Sequence, residues 1–174
     1  MFNLLKVFQG EPRISETAAK ALRGLCGTEQ NKRQVVAAGS VKLLCDLLIQ
    51  SNIKEVITGT CGILARLATL PEVRQNYLHA IVPYLTSFLV NNDADLQLPI
   101  VLILQAITKD GTCCSLLLPD LGLISLLPLT AAGTHEIMNT AGCTVQLILL
   151  LDSLSVELQE QTLTTLSNII FEGT

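Results

Sequence analysis

The stretch NKRQVVAAGSVKLLCDLL, residues 31–48, decides the fold of this chain. Its apolar residues recur at a helical period on both sides of an Ala-Ala-Gly break, a pattern typical of two short helices joined by a tight turn. A weaker copy, VRQNYLHAIVPYLTSFL, occupies residues 73–89. Repetition at a period of about forty residues predicts a protein made of stacked helical units.

Composition favours one substantial core without aromatic side chains at its centre. The chain has 174 residues, of which 49% are hydrophobic and only 3% are aromatic, with no Trp. So apolar a chain is not disordered, and Leu, Ile, Val and Ala must fill its interior.

Nothing in the sequence indicates a membrane or an export signal. No uninterrupted apolar run reaches the ~20 residues that cross a bilayer. The first residues, MFNLLKVFQG, lack the charged start and the small-residue cleavage site of a signal peptide. We therefore expect a soluble protein of the cytoplasm or the nucleus that has no membrane partner.

The cysteines show neither a metal-binding nor a disulfide pattern. They are Cys26, Cys45, Cys61, Cys113, Cys114 and Cys143. None forms a Cys-x-x-Cys pair, no His lies at ligand spacing from them, and each sits in an apolar pattern. We expect free thiols packed as small hydrophobes in a reducing compartment, with neither a metal nor another cofactor.

Charge is divided unevenly along the chain. All eleven Lys and Arg residues lie in residues 1–109, together with eight of the fifteen acidic residues. Residues 110–174 contain the remaining acidic residues and no Lys or Arg. Because phosphate binding relies on Lys and Arg, this distribution argues against nucleic acid as a partner. The acidic part is either a solvated face or a surface for a basic partner.

Residues that could carry catalysis are sparse. The two histidines, His79 and His135, have no nucleophile pattern nearby, and no phosphate loop, His-Glu-x-x-His or Gly-x-Ser-x-Gly motif occurs. Asp93 and Asp95 lie in a predicted loop, where helix capping explains them. We therefore expect a protein that is not an enzyme.

Aligned segments define the repeating unit. Predicted long helices align at residues 18–26, 60–68, 100–108 and 162–170, and the helices that precede them at 40–48, 80–89 and 121–129. Each unit is predicted to contain a short helix, a helix and a longer helix; in the first complete copy these are 31–38, 40–50 and 54–69. Because one unit cannot bury its apolar face alone, neighbouring copies must share a core.

Turn residues separate the predicted helices. Asn52 and Glu55 are spaced as a capping box before the third helix, and Pro71 suits the first position of the next short helix. Residues 91–97, NNDADLQ, form the corresponding turn in the following copy.

Together these features resemble the armadillo repeat. The resemblance is carried by the Gly break in NKRQVVAAGSVKLLCDLL, by the helix EVITGTCGILARLA (55–68) that follows, and by the recurrence of both in order. It covers nearly the whole chain and implies an all-α, right-handed α-solenoid of about four three-helix units, one of them irregular. HEAT repeats are the near alternative, and the Gly between the short first and second helices favours armadillo.

The resemblance implies one domain, residues 1–174, with a loss of period near its end. The predicted divisions are a partial repeat 1–29, repeats 30–70, 71–110 and 111–151, and a terminal partial repeat 152–174. Residues 131–153 do not keep the period. There EIMNTAGCTVQL aligns with the third helix EVITGTCGILARL, or IMNTAGCTVQLI aligns with the break VVAAGSVKLL. Either alignment leaves about twenty residues of helix missing before residue 156.

Both ends lack the polar capping repeats that solenoids need. MFNLLKVF resembles a second helix without its first, and the chain stops just after a third helix. We expect a piece or variant of a longer array, in which Phe2, Phe8, Ile170 and Phe171 are partly unprotected. Self-association that depends on concentration should follow.

The armadillo resemblance also implies where a partner binds. In the family the third helices line a concave groove for an extended peptide, and nuclear-import members repeat Trp and Asn there, four residues apart. The Trp position here reads Lys20, Gly62, Leu102 and Thr164, and the Asn position reads Gly24, Arg66, Ala106 and Asn168. The missing ladder disfavours basic import signals, whereas Lys20 and Arg66 favour acidic segments, as in the catenin branch. With the residues one turn earlier, the candidate groove residues are Glu16, Lys20, Thr58, Arg66, Glu160, Gln161, Thr164 and Asn168.

We therefore expect a non-enzymatic scaffold or adaptor that binds other proteins, through an extended or helical segment held along this groove. Two alternatives stay open. A client-holding chaperone of the myosin-assembly type would prefer unfolded partners, and a karyopherin-like import adaptor would bind basic peptides.

Overall fold

The computed structural model of the chain is all-α. It describes the backbone of residues 12–90, 93–108 and 143–172, with the side chains of residues 17–89, 93–108 and 145–168, and no strand occurs among them. The helices in chain order are α1 (Pro12–Leu25), α2 (Glu29–Ala37), α3 (Ser40–Gln50), α4 (Lys54–Leu67), α5 (Pro71–Asn76), a 3₁₀ segment (Leu78–Ile81), α6 (Val82–Val90), α7 (Ala94–Thr108), α8 (Cys143–Leu149), a second 3₁₀ segment (Leu150–Asp152) and α9 (Val156–Glu172). The predicted all-α fold class is confirmed.

The Ala-Ala-Gly break separates α2 from α3, as predicted. Gly39 has a φ of 70°, which places it in the left-handed region. The amide of Ala38 donates to the carbonyl of Gln34, and the amide of Gly39 donates to that of Val36 at 2.9 Å. Glycine adopts this conformation without the steric cost that a Cβ brings, so the residue allows one helix to end and the next to begin at once.

The start of α4 differs from the predicted capping box. Ile53 is the N-cap residue, and no side chain caps the helix. The Ser51 hydroxyl instead accepts a hydrogen bond from the Ile53 amide at 3.2 Å. Because α4 begins at Lys54, Asn52 lies one residue too early to act as the cap, and this prediction is wrong.

Pro71 occupies the first turn of α5, as predicted. In the same helix Arg74 is 9% exposed, and its Nη1 donates to the carbonyls of Ala68 and Thr69, at 3.0 and 2.9 Å. These carbonyls follow the last residue of α4, where helical partners run out. The buried guanidinium therefore ties α5 to the end of α4.

The helix α7 begins inside the stretch predicted to be a turn. The carbonyl of Asp93 accepts the amides of Leu96 and Gln97 at 3.0 and 3.1 Å, and its Oδ1 accepts the Asp95 amide at 3.1 Å. Asp93 therefore caps the helix as expected, whereas Asp95 lies in the first turn rather than in a loop. Pro99 lies within this helix.

The chain forms two compact units, Met1–Tyr84 and Leu85–Thr174. In the first unit α1 and α3 pack against α4, and in the second α7 and α8 pack against α9. The largest fully buried side chains are, in the first unit, Leu44, Leu48, Ile63, Leu64, Leu67, Leu78 and Ile81 and, in the second, Leu85, Ile100, Ile103 and Leu104. Every buried apolar side chain among the described residues is Ala, Val, Leu, Ile or Cys, which confirms the predicted core composition.

The connection between α8 and α9 resembles the connection between α3 and α4. After α8 and its 3₁₀ extension, a three-residue connector, 153–155, leads into α9, just as 51–53 leads from α3 into α4. In both connectors the serine hydroxyl, from Ser51 or Ser153, accepts the amide two residues later at 3.2 Å. This likeness agrees with the alignment of IMNTAGCTVQLI with the Gly break; because residues 131–142 lie outside the described residues, the choice between the two alignments stays a prediction.

Residues 143–152 form α8 and its 3₁₀ extension directly before the connector to α9. The helix α9 packs against α8 and also against α7. The predicted boundary between residues 151 and 152 falls within the 3₁₀ segment Leu150–Asp152. Residues 109–142 lie outside the described residues. The predicted loss of period at 131–153 and the repeat boundaries therefore stay predictions.

The chain ends also lie largely outside the description. Phe2 and Phe8 are not among the described residues, nor are the side chains of Ile170 and Phe171. Their predicted role in self-association stays a prediction. Within the described ranges, no helix is long and apolar enough to cross a membrane.

Candidate functional site

The predicted groove positions lie on solvent-facing stripes of the long helices. On α4 Lys54, Thr58, Gly62 and Arg66, spaced four apart, are all exposed or half-buried, as are Glu55, Gly59 and Ala65 beside them, whereas Cys61 is buried. This spacing follows one face of a helix. The long helices α1, α4, α7 and α9 correspond to the predicted third helices. We call the solvent-facing sides of α1 and α4 the first face, and those of α7 and α9 the second face.

The first face carries four of the predicted groove residues. Lys20 on α1 and Arg66 on α4 are exposed. Thr58 is half-buried, and its Oγ1 is buried with no hydrogen-bond partner in the described part of the chain. Glu16 belongs to α1, but its side chain is outside the description. The two cations are therefore the accessible members of this set.

Arg23, absent from the predicted groove residues, lies across the first face. A Cβ placed on Gly62 would be 3.6 Å from Arg23 Cδ and 3.9 Å from its Nη1. The Arg23 side chain therefore reaches from α1 to the space beside position 62 of α4. Arg23 is exposed, and it forms no ion pair with any described residue.

More positive charge gathers around the thiol of Cys26, just after α1. Burial raises the pKa of Cys26, and the nearby charges of Arg66 and Lys32 lower it. Lys32 Nζ donates to Thr69 Oγ1 at 2.8 Å, and Thr69 Oγ1 donates to the carbonyl of Arg66 at 3.0 Å. Both charges thus act on Cys26, just after α1, and Lys32 Nζ reaches the C-terminal end of α4, where the helix dipole favours cations.

The second face is joined by polar contacts between α7 and α9. Gln105 Nε2 donates to Gln161 Oε1 at 2.8 Å, and Asn168 Nδ2 donates to Thr108 Oγ1 at 3.3 Å. Residues three apart on α7 and seven apart on α9 lie on one side of each helix. The structure therefore brings the predicted residues Gln161 and Asn168 to one seam, where both amides contact the neighbouring helix.

Glu160 and Thr164, the remaining predicted residues, lie on α9 beside this seam and are exposed. Thr164 Oγ1 donates to the carbonyl of Glu160 at 2.9 Å, so its hydroxyl is bound by its own helix. The Glu160 carboxylate has no ion-pair partner among the described residues, and those of the second unit include no Lys or Arg. Among the described residues, the second face therefore carries the negative charge of Glu160 and no positive charge.

Arg23 and Gln105 share one position in the aligned long helices. When segments 18–26 and 100–108 are superposed, each directly precedes the position that holds Asn in import receptors. Each reaches toward the adjacent long helix of its own unit. The predicted set followed a spacing of four along single helices and so omitted this position. In the sequence, Arg23 could have been recognised as a long polar residue on one predicted long helix, with Gly62 leaving space on the next one.

Potential metal ligands and reactive thiols were sought among the described residues. Among them, no group of three or more His, Cys, Asp or Glu side chains could hold a metal ion. Burial raises the pKa of both Cys45 and Cys61 to about 12, so neither thiol ionises near neutral pH. Cations on the first face, and amides with a carboxylate on the second, are suited to holding a polypeptide.

Comparisons with known proteins identify the fold. No protein-family model matches the chain, nor does any curated protein. A designed armadillo repeat protein matches 96% of the chain and 98% of its own length, with a TM-score of 0.54 and 15% identity. The fold is an armadillo-like helical repeat.

Further solved structures agree with this fold. Two engineered proteins from a structural genomics consortium each match 96% of the chain with a TM-score of 0.67, at 24% and 25% identity. The chain spans 36% and 61% of their lengths. Another designed armadillo repeat protein, in complex with the peptide (KR)4, matches 95% of the chain and 80% of its own length, with a TM-score of 0.55 and 15% identity. Likeness at such low identity shows the fold alone.

Proposed function

We propose that this armadillo-like chain is a non-enzymatic scaffold or adaptor, and that its first face binds an acidic segment of a partner protein. The observation that carries the proposal is the position of the Arg23 side chain beside Gly62. Neither Arg23 nor Arg66 forms an ion pair with a described residue, although both are exposed. A partner that supplies carboxylates would provide the missing negative charge. The designed armadillo repeat protein in complex with the peptide (KR)4 supports peptide binding by this fold, and the acidic character of the segment proposed here rests on Arg23 and Arg66 alone.

The chemistry of the first face favours carboxylates over neutral groups. A guanidinium presents a planar set of N–H donors that can bind a carboxylate through two parallel hydrogen bonds. Contact between Arg23 and the Gly62 region restricts the side chain before any ligand arrives, which lowers the entropy cost of binding. Arg66 and Lys32 add attraction at the same end of the helices.

A labelled decapeptide of alternating Glu and Gly tests the first face by fluorescence anisotropy. We expect the wild type to bind it more tightly than a matching Gln-Gly peptide. Arg23→Glu and Arg66→Glu should each weaken the Glu-Gly complex about tenfold, because each change replaces attraction with repulsion. Lys42→Glu is the matched control, since Lys42 is exposed on α3 and undergoes the same charge change. Equal losses in all three variants would mean that overall charge, and not the first face, binds the peptide.

Gly62→Leu separates the position of Arg23 from its charge. A leucine at this position would occupy the space beside the Arg23 stem while leaving the net charge unchanged. We expect weaker binding of the Glu-Gly peptide, by about threefold or more, with the helical circular dichroism retained. Unchanged affinity would show that the position of Arg23 beside Gly62 does not matter.

Capture from cell lysate then identifies natural partners. The baits are the wild type, the double variant Arg23→Glu/Arg66→Glu, and the Lys42→Glu control. Proteins with acidic segments that are retained by the wild type and the control, and lost with the double variant, are the expected partners. An identical set on all three baits would contradict a role for the first face.

A further inference from the structure

Two exposed apolar side chains lie on the side of α9 that faces away from α7. Gln161 marks the α7 side, because its Oε1 accepts a hydrogen bond from Gln105. Leu163 is two residues further along, about 200° around the helix, and Val156 precedes Leu163 by seven residues, which places it on the same side. Val156 is 66% exposed and Leu163 is 55% exposed. We call this side the outer side of α9.

Leu154 extends the apolar surface of this outer side. It belongs to the connector just before α9 and is fully exposed. The helix buries a different side, which carries Leu158, Thr162 and Thr165. Single exposed apolar residues are ordinary on protein surfaces, whereas a cluster of them marks a place where another molecule binds. The outer side of α9 is therefore a surface that the hydrophobic effect favours covering.

The helix α1 has a corresponding side in the first unit. Arg23 marks the side that faces α4, because its side chain lies beside Gly62. Ala21 and Leu25 lie two residues before and two residues after Arg23, on the opposite side of the helix. Both are exposed, Leu25 by 43%. We call this side the outer side of α1.

Charge distinguishes the two outer sides. Lys20 is exposed and directly precedes Ala21, whereas Glu160 is exposed and lies one helical turn before Leu163. The described side chains of the first unit include more Lys and Arg than acidic residues, and those of the second unit include acidic residues and no Lys or Arg. Like charges therefore disfavour pairing of two α9 sides or of two α1 sides, whereas an α1 side and an α9 side attract each other.

We propose that the outer side of α9 binds the outer side of α1 in a second copy of this chain. Apolar side chains of the two helices pack together, and the opposite charges beside them determine which side meets which. Because the contact joins two different surfaces, each pair of copies keeps one surface of each kind uncovered, and association continues head to tail beyond a dimer. This inference goes beyond the proposed function, and peptide binding and self-association can each hold without the other.

Analytical ultracentrifugation of the full chain over a range of concentrations tests the contact. We expect the wild type to pass from monomer to species larger than a dimer as its concentration rises. Leu25→Glu and Leu163→Glu should each weaken self-association at least tenfold, because each places a charge in an apolar contact. A wild type that stays monomeric up to about 1 mM would overturn the proposal.

Ile49→Glu is the matched control for these two variants. Ile49 is 37% exposed on α3, so the same type of substitution is made at a similarly exposed apolar residue away from both outer sides. It should self-associate like the wild type. Equal weakening in all three variants would show that added negative charge, and not the loss of these apolar contacts, prevents association, and would overturn the proposal.

A mixture of the two leucine variants tests the head-to-tail direction. Leu25→Glu keeps the outer side of α9 intact and Leu163→Glu keeps that of α1 intact, so the mixture retains one complete pair of surfaces. We expect each variant alone to be monomeric, and the equimolar mixture to form a dimer and nothing larger. A mixture that stays monomeric while both variants keep helical circular dichroism would overturn the proposal. Self-association of Leu25→Glu alone, at wild-type strength, would also overturn it by showing that α9 pairs with α9.

Charge exchange at two exposed positions covers the case in which a leucine variant does not fold. Lys20→Glu and Glu160→Lys should each weaken self-association about threefold, because each places like charges on the two outer sides. The double variant Lys20→Glu/Glu160→Lys carries opposite charges again and should regain most of the wild-type association. A double variant that associates more weakly than either single variant would contradict the pairing of these two sides.

Discussion

Arg74 is a charged side chain accommodated within an apolar unit by two backbone carbonyls. Its Nη1 bonds to Ala68 and Thr69 lie at the negative end of the α4 dipole. Arg74→Leu removes this donor and leaves the carbonyls unsatisfied, so we expect the free energy of unfolding to fall by about 2–3 kcal/mol. Urea unfolding followed by circular dichroism measures the loss.

Arg33 provides the control for Arg74. It makes an exposed ion pair with Glu29 on the same helix, at 2.7 Å. Exposed pairs of this kind contribute little because solvent screens them. Arg33→Leu should therefore leave the urea midpoint almost unchanged. A loss as large as that of Arg74→Leu would mean that removal of any arginine, rather than loss of a helix cap, causes the effect.

The buried thiols of Cys45 and Cys61 should react slowly, with a pH dependence that differs from that of the unfolded chain. Burial raises the pKa of each from 9.0 to about 12. At pH 8 the folded chain then has ~1000-fold less thiolate at these positions than the unfolded chain. Alkylation by iodoacetamide should accelerate from pH 9 to pH 12 in the folded chain, but level off above pH 9 in the unfolded chain.

The same pKa values determine the sign of a stability change. Below pH 9 these thiols are protonated in both states and do not change stability with pH. As the pH rises from 9 towards 12, only the unfolded chain ionises them, so the free energy of unfolding declines. Trypsin places Cys45 and Cys61 on separate peptides, 43–54 and 55–66, so mass spectrometry gives each rate separately. Equal rates in folded and urea-unfolded protein at pH 8 would contradict the burial.

The turn between α2 and α3 depends on the left-handed conformation of Gly39. A Cβ at this position meets no atom within 4 Å, so the cost of Gly39→Ala comes from φ and not from a clash. We expect a loss of about 1 kcal/mol in the free energy of unfolding, since the left-handed region costs an alanine about 1–2 kcal/mol and alanine restricts the unfolded chain slightly. Thermal or urea unfolding measures it.

Gly24→Ala is the matched control for this element. Gly24 lies in α1, and a Cβ there also meets no atom within 4 Å. Because alanine favours the helix over glycine, the same substitution should stabilise the chain by about 0.5 kcal/mol, opposite in sign to Gly39→Ala. Two changes of the same sign would show that backbone conformation does not control the turn.

The periodicity of the chain predicted most of the fold. Helices at 31–38, 40–50 and 54–69, the glycine turn at position 39 and the proline start at position 71 correspond to observed elements. Each of these depends on residues within about four positions of one another, which is the range of helical hydrogen bonds. The capping box at Asn52 failed despite being local, because the spacing alone does not say at which residue a helix begins.

The candidate site was only partly predictable, because its contacts join distant residues. Lys20 and Arg66 are exposed as the helical spacing indicated. The link from Gln105 to Gln161 spans 56 residues and that from Asn168 to Thr108 spans 60, and no local pattern encodes either. Packing of α9 against α7 likewise joins helices that lie far apart in the sequence.

The order of residues is therefore sufficient to establish the helices, the repeat and the composition of the core, since these follow from apolar spacing and backbone preferences over a few neighbours. Which polar side chains meet is settled by the packing of one long helix on the next. That packing places Arg23 beside Gly62 and joins Gln105 to Gln161, because helix rotation and offset depend on the entire shared core.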